Sequence, residues 1–170
     1  MADSPKPEIK LFYCYARSDK TLRDRLEKHI RALNRHYHLT HWHDREILPG
    51  KEWGHEIHFH LDTADIIFLL ISPDFMTSDY CYGVEMKRAL ERHKEGTCRV
   101  IPILLRPVSN WQVAPFSTIQ LLPRNTRPIT SWRKKDQVYE DILTVRLNER
   151  AKSRIVGETS IDSRRKATEG

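Results

Sequence analysis

Glycine is scarce in this sequence, with six among 170 residues. A G-x-G-x-x-G pattern after the first predicted strand and a G-x-x-x-x-G-K-[ST] pattern are both missing. These are the glycine-rich loops that let a backbone approach phosphate groups closely. No G-x-S-x-G nucleophile turn is present either. The absences argue against a Rossmann dehydrogenase and a P-loop NTPase.

Cysteines and long apolar segments are also few. The three cysteines, Cys14, Cys81 and Cys98, have scattered spacings, which predicts buried thiols in a reducing compartment rather than disulfides. No apolar run approaches the roughly 20 residues that span a bilayer. The N-terminal MADSPKPEIK lacks the apolar core of a secretory signal. We therefore expect a cytoplasmic protein that makes no membrane contact.

The charge is positive but dispersed. The formal net charge is +6 at neutral pH, and basic residues alternate with acidic ones along the helical stretches. Two basic clusters stand out, RKK at 133–135 and SRRK at 163–166. Dispersed charge is typical of a solvated surface. It argues against nucleic acid as a partner and favours small anionic ligands.

Short apolar runs alternate with segments of helical periodicity, which predicts one domain over residues 8–149. We expect an α/β, flavodoxin-like, three-layer fold: a five-stranded parallel sheet of order 2-1-3-4-5 with helices on both faces. Residues 1–7 are predicted to be a flexible N-terminus, and residues 150–170 a flexible tail or linker. The predicted strands are Ile9–Tyr15, Leu39–His43, Ile66–Ile71, Arg99–Leu105 and Arg127–Thr130, and the predicted helices are Lys20–His36, Trp53–Ala64, the segment that carries Glu85, and Asp136–Glu149.

In such a sheet, ligands bind beyond the carboxyl ends of the strands where the strand order reverses. That rule selects ARSD after the first strand and SPDFMTSDYCYGVE after the third, which leads into the helix with Glu85. On a wheel of about 100° per residue, Glu85 falls on the shoulder of the apolar stripe, which predicts partial exposure. The wheel leaves two alternatives open. Glu85 is either a solvated partner of Arg88 or a carboxylate placed for chemistry.

Nine histidines are present, and His41 and His43 share one face of the second predicted strand. Alternate positions on a strand are compatible with metal coordination. No paired cysteines and no H-E-x-x-H pattern accompany them. We therefore predict a histidine cluster on a solvated surface and no metal site.

The loop WHDREILPGKEW (residues 42–53) combines a Pro49-Gly50 turn with two apolar side chains, Ile47 and Leu48. Both side chains lie in a segment that should be exposed. They either fold back onto the core or form a contact for another protein chain.

Four segments, in this order, resemble the TIR (Toll/interleukin-1 receptor) domain family, in particular its bacterial members. LFYCYARSD (11–19) is similar to the first box of the family, and WHDREILPG (42–50) is similar to its BB loop. ADIIFLLISPDFMTSDYCYGVEMKRAL (64–90) resembles its strand and helix C, and VIPILLRP (100–107) resembles its fourth strand. The resemblance covers residues 8–148.

Many TIR domains cleave NAD⁺ between nicotinamide and ribose with a glutamate on helix C, and the resemblance assigns that role to Glu85. The family often writes this element W-C-x-x-E. Here Tyr80 supplies the aromatic ring, and at least one more residue separates Cys81 from Glu85. The resemblance also implies a nucleotide cleft. Its implied substrate-binding residues are Tyr15, Ala16, Arg17, Asp44, Arg45, Ser72 and Cys81.

TIR domains complete their active site between neighbouring domains through the BB loop. The resemblance therefore implies self-association through Ile47, Leu48, Pro49 and Gly50, in defence or signalling. It implies release of nicotinamide with ADP-ribose or a cyclic isomer, and no cofactor, since NAD⁺ is the substrate. The alternative is a non-enzymatic signalling module whose BB loop recruits other TIR domains.

Overall fold

A computed structural model describes residues 8–32, 37–43, 53–123 and 125–140. Within these residues, four parallel strands form one sheet in the order β2-β1-β3-β4. The third strand follows the second along the chain but pairs on the opposite side of β1, so the strand order reverses beside β1, as predicted. The strands are β1 (Glu8–Cys14), β2 (His38–Trp42), β3 (Ile66–Ile71) and β4 (Arg99–Leu104).

The helices begin close to the residues where the apolar periodicity begins. Gly96 ends the α-helix Met86–Glu95 with a φ of 77°, a left-handed conformation that glycine adopts at little steric cost. Residues 135–140 are also helical. The main helices are α1 (Lys20–Ala32), α2 (Trp53–Thr63), α3 (Pro73–Thr77), a π-helix (Asp79–Glu85) and α4 (Met86–Glu95).

Each face of the sheet carries its own hydrophobic cluster. Side chains alternate along β1, so Tyr13 packs into one cluster and Cys14 into the other. Leu26 and Ile30 of α1 belong to the first cluster. The second cluster contains side chains of α2 and α4. All six residues of β3 are buried, as a strand covered on both faces must be. The predicted three-layer α/β architecture is confirmed.

The fifth strand predicted at Arg127–Thr130 is wrong, since the sheet in the described part of the chain has four strands. Ile129–Ser131 instead forms a 3₁₀ turn. The place beside β4 is taken by Leu122, which makes a single parallel bridge with it. Pro128 lies within the predicted strand, and Pro123 precedes it. They lack the N–H group that a strand needs to extend its hydrogen-bond ladder.

Several predictions fall on residues that the structure does not describe. These are the flexible N-terminus at 1–7, the tail at 150–170, the end of the first helix at 33–36, and most of the last helix. Among the described helices, none combines the length and the apolar character needed to cross a bilayer.

Candidate active site

The loops that follow β1 and β3 meet at the carboxyl edge of the sheet and form a cleft. Its volume is about 420 Å³, within the range of small-molecule sites, which is about 300–1,000 Å³. The cleft lies where the strand order reverses, the position at which open α/β sheets bind ligands. Its lining residues are Phe12, Tyr13, Tyr15, Ala16, Arg17, Ser18, Trp42, Asp74, Ser78, Cys81 and Glu85.

Glu85 brings a buried carboxyl group to the wall of this cleft. Its exposed fraction is 6%, so the predicted partial exposure is wrong. The reason is the local helical geometry. Glu85 is the last residue of the π-helix, in which the N–H of Met86 donates to the carbonyl of Cys81, five residues earlier. A wheel drawn for 3.6 residues per turn does not describe such a segment.

Arg88, which the sequence offered as a partner for Glu85, lies on the exposed surface of α4. Its guanidinium donates to Asp62 at 2.7 Å and lies 3.4 Å from Glu91. Ion pairs of this exposed kind contribute little to stability. Glu85 lies instead on the buried side of the same helical segment, beside the cysteines.

Two thiols adjoin Glu85. The sulfur atoms of Cys14 and Cys81 and a carboxyl oxygen of Glu85 all lie within 4.8 Å of one another. Cys81 Sγ donates to the carbonyl of Tyr15 at 3.3 Å, and Cys14 Sγ contacts the carbonyl of Cys81 at 3.7 Å. Burial, followed by the hydrogen bond with Cys81 and the negative charge of Glu85, raises the pKa of the Cys14 thiol well above its ordinary value. Cys14 is therefore a protonated thiol at neutral pH.

The segment after β1 supplies three of the predicted substrate-binding residues to the cleft. Tyr15 and Ala16 are buried, whereas Arg17 is exposed at the cleft surface. The predicted residue Cys81 lines the cleft from the π-helix, whose first turn is capped by Ser78. The structure thus brings these four residues together with Glu85.

A polar network ties together the three loops around the cleft. Asp19, with an exposed fraction of 2%, accepts hydrogen bonds from Ser72 Oγ and, at 2.8 Å, from Arg106 Nε. The other end of the Arg106 guanidinium binds Asp74, which also accepts from Ser18 Oγ at 2.7 Å. The hydrogen bond from Ser18, with that from Arg106, lowers the pKa of Asp74. One arginine thereby joins the segments that follow β1, β3 and β4.

Ser72, predicted to bind substrate, is fully buried within this network and is not among the residues that line the cleft. Its hydroxyl also accepts from the N–H of Phe75 and caps α3. Ser72 therefore orders the loop rather than facing the cleft. Sequence reasoning missed Arg106 and Asp19. The available signal was position, because Arg106 follows β4 at the same sheet edge.

Arg23 packs against the rings of Tyr13 and Tyr15, two tyrosines that line the cleft. Its guanidinium carbon lies 5.6 Å from the ring centre of Tyr13 and 5.2 Å from that of Tyr15, within cation–π range. Glu27 accepts a 2.8 Å hydrogen bond from Arg23. These contacts hold both tyrosine rings in place through a buried charge pair on α1.

His41 also belongs to this layer, since its Nδ1 lies 2.7 Å from the hydroxyl of Tyr13. Its side chain is 2% exposed, so the predicted solvated cluster is wrong for this histidine. Burial lowers the pKa of His41 to about 4, and the ring is neutral at pH 7. Among the described histidines, none joins a group of three convergent metal-ligand atoms.

The remaining predicted site residues lie outside the described residues and stay predictions. They are Asp44, Arg45, Ile47, Leu48, Pro49 and Gly50.

Comparison with known proteins identifies the family. An uncharacterized protein of Sinorhizobium fredii (strain NBRC 101917 / NGR234), y4lF, is 45% identical over 129 residues, which make up 76% of this chain and 40% of that protein. The chain thus spans less than half the length of this curated relative.

Two solved structures are among those that the chain is similar to. The TIR domain of the Toll-related receptor TRR-2 from Hydra magnipapillata has a TM-score of 0.46 and 22% identity, over 60% of this chain and 76% of that one. The TIR domains of the activated Roq1 resistosome, which recognizes the pathogen effector XopQ, have a TM-score of 0.43 and 21% identity, over 56% and 55%. The profile of the TIR domain family matches residues 11–143, most of the sequence. The chain belongs to the TIR domain family.

Proposed function

We propose that this TIR domain cleaves NAD⁺ at the bond between nicotinamide and ribose, with Glu85 as the catalytic residue. The observation that carries the proposal is the buried carboxyl group of Glu85 in the wall of a cleft beside the sheet's reversal point. Glu85 also matches the motif position to which the family resemblance assigns catalysis. Its π-helical segment adds support. Such segments are rare in proteins, and those that occur are often found at functional sites.

The chemistry requires little beyond one well-placed carboxylate. Nicotinamide leaves NAD⁺ as a neutral molecule, so its departure needs no general acid. As the bond breaks, the ribose develops oxocarbenium character, as in glycoside hydrolysis. A preorganised carboxylate stabilises that positive charge, and the low dielectric of a buried site strengthens the effect. Attack by water then gives ADP-ribose, and attack by an atom of the same molecule gives a cyclic isomer.

The rest of the cleft suits a dinucleotide. Arg17 is exposed at its surface, where a guanidinium meets a diphosphate through charge-assisted hydrogen bonds. The rings of Tyr13 and Tyr15, held by Arg23, offer an apolar wall. In this assignment, Glu85 meets the ribose and Arg17 meets the phosphates.

The decisive experiment follows nicotinamide release from NAD⁺ by purified wild-type protein and by the Glu85→Gln variant. Glutamine keeps the size of the side chain but removes its charge, so turnover should be lost while the fold is kept. Glu91→Gln is the matched control, because Glu91 lies on the exposed side of α4 and should retain full turnover. Turnover by a folded Glu85→Gln variant would remove Glu85 from the mechanism.

Self-association and cellular setting are part of the same proposal. We place the protein in a reducing compartment, the cytoplasm, because its three cysteines are buried thiols outside any disulfide. Activity is proposed to rise on assembly with other TIR domains, in defence or signalling. If the wild type releases no nicotinamide at any concentration while it still self-associates, the non-enzymatic module is the better description.

A further inference from the structure

Three side chains with metal-binding atoms converge beside the cleft, which Cys81 and Glu85 line and behind which Cys14 is buried. Cys14 ends β1, whereas Cys81 and Glu85 are separated by one turn of the π-helix. Their sulfur and oxygen atoms all lie within 4.8 Å of one another, and all three residues are buried. Because strand and helix come together only in the folded protein, this group is assembled by the fold.

The donor set and its spacing fit a tetrahedral cation. Zinc binds thiolate sulfur at about 2.3 Å and carboxylate oxygen at about 2.0–2.2 Å, so tetrahedral ligand atoms stand roughly 3.3–3.8 Å apart. Side-chain shifts of about 1 Å close the present group to that spacing. Two sulfurs with one oxygen select a thiophilic ion such as zinc over magnesium or calcium, which prefer oxygen ligands.

The cleft gives such an ion both access and a vacant coordination position. Cys81 and Glu85 line the cleft, so an ion can arrive from solvent. Three protein ligands leave the fourth tetrahedral position for water. Cys98, the third thiol, lies outside the convergent group and contacts the carbonyl of Ala89 at 3.8 Å.

We propose that Cys14, Cys81 and Glu85 bind a divalent cation of the zinc class and that this binding switches the site off. Two metal–sulfur bonds form, and the two thiol protons pass to solvent. The carboxylate of Glu85 is then held by the metal and is withdrawn from the ribose. The inhibitory part rests on the proposed NAD⁺ cleavage, whereas the binding part does not.

The test uses Co²⁺ as a spectroscopic substitute for zinc, with untagged protein under a reductant that does not bind metals. The wild type should show a sulfur-to-cobalt charge-transfer band and tetrahedral ligand-field bands, and added Zn²⁺ should abolish both. Cobalt bound by histidines elsewhere in the chain would not produce the sulfur band. The band therefore reports this site even in a histidine-rich protein.

Matched variants identify the ligands. Cys14→Ser and Cys81→Ser should each weaken cobalt binding at the sulfur band more than about 100-fold, since loss of a direct ligand exceeds the ~10–100-fold cost of losing an outer partner. Glu85→Gln, which keeps both thiols, should weaken it at least tenfold. Cys98→Ser should bind as the wild type does. Absence of the sulfur band in the wild type would overturn the proposal, whatever the variants show. Loss of the band in Cys98→Ser, with the band kept in the other variants, would also overturn it.

Inhibition is measured separately by nicotinamide release. Zn²⁺ should inhibit the wild type and Cys98→Ser at the concentrations that displace cobalt. If metal-free wild type releases no nicotinamide, the proposed catalysis fails, and the cobalt spectrum still decides the metal site. If turnover is normal and zinc at those concentrations leaves it unchanged, the inhibitory role is wrong.

Discussion

Replacing Arg106 with methionine should destabilise the fold through a residue that lies outside the catalytic group. Arg106 Nε donates to Asp19 at 2.8 Å, and the side chain of Asp19 is 1% exposed. Removing one partner of a fully buried ion pair costs about 3–5 kcal/mol. Arg106 itself is 32% exposed, so water partly replaces it, and Ser72 still donates to Asp19. We therefore expect a loss of about 2 kcal/mol in the free energy of unfolding.

The measurement is denaturant unfolding followed by circular dichroism, with thermal unfolding as a second readout. A loss of about 2 kcal/mol corresponds to a fall of about 4–8 °C in melting temperature for a domain of this size. Arg88→Met is the matched control, because Arg88 donates to Asp62 at 2.7 Å but the two side chains are 39% and 48% exposed. The distances are nearly equal, so the difference between the variants isolates burial of the carboxylate.

Equal losses in the two variants would refute this reasoning, since burial of Asp19 would then have no energetic consequence. A double-mutant cycle gives a second check. In an Asp19→Asn background, Arg106→Met should cost much less than in the wild type, because the carboxylate that needs the guanidinium is gone. An unchanged cost there would assign the effect to Asp74 or to packing of the arginine stem.

Three further outcomes are expected. Arg17→Ala should raise the Michaelis constant for NAD⁺ roughly tenfold or more, since a charge-assisted phosphate contact is worth about 1.5–3 kcal/mol. Arg25→Ala, at an exposed arginine of α1, is the control and should leave the Michaelis constant unchanged. An unchanged Michaelis constant in Arg17→Ala would place Arg17 outside the site. The folded pKa of His41, about 4, lies below its ordinary value of about 6.5. The unfolded chain therefore takes up the proton first, and the free energy of unfolding should fall by up to about 3 kcal/mol as pH drops from about 6.5 to 4. His41→Gln should reduce this dependence of the free energy of unfolding on pH. An unchanged dependence would contradict its assignment to His41. Leu48→Asp should abolish any rise of specific activity with protein concentration while the melting temperature holds. Light scattering checks its association, and a mutant that still assembles would rule out this contact.

Much of the fold follows from local patterns that report burial directly. The six apolar residues of β3 predict a strand buried on both faces, and the alternation of strands with helices predicts a parallel sheet. Both predictions are confirmed. The prediction of a fifth strand at Arg127–Thr130 is wrong because local sequence does not decide whether a segment joins the sheet. Whether this segment joins the sheet depends on Pro128 within it and on Leu122, which already occupies the edge of β4.

The candidate site, like the fold, could be predicted only in part from the sequence. Topology and motif placed Tyr15, Arg17 and Glu85 near one another, because the carboxyl ends of neighbouring parallel strands share an edge. The polar network was not predictable by such means. Asp19 and Arg106 are 87 residues apart in the chain, and nothing in either local pattern shows that a carboxylate is buried or which cation will reach it.

The burial of Glu85 depends on one turn of helix. In an α-helix, the carbonyl of Cys81 would accept from the N–H of Glu85, four residues later. Here it accepts from Met86, so one additional residue is held within the hydrogen-bonded ring. That residue matches the longer spacing between Cys81 and Glu85 relative to W-C-x-x-E. Met86 and Ala89 keep the buried stripe of α4, which is why the periodicity looks ordinary from the sequence. The additional residue turns the carboxyl group of Glu85 toward the cleft, as the proposed chemistry requires.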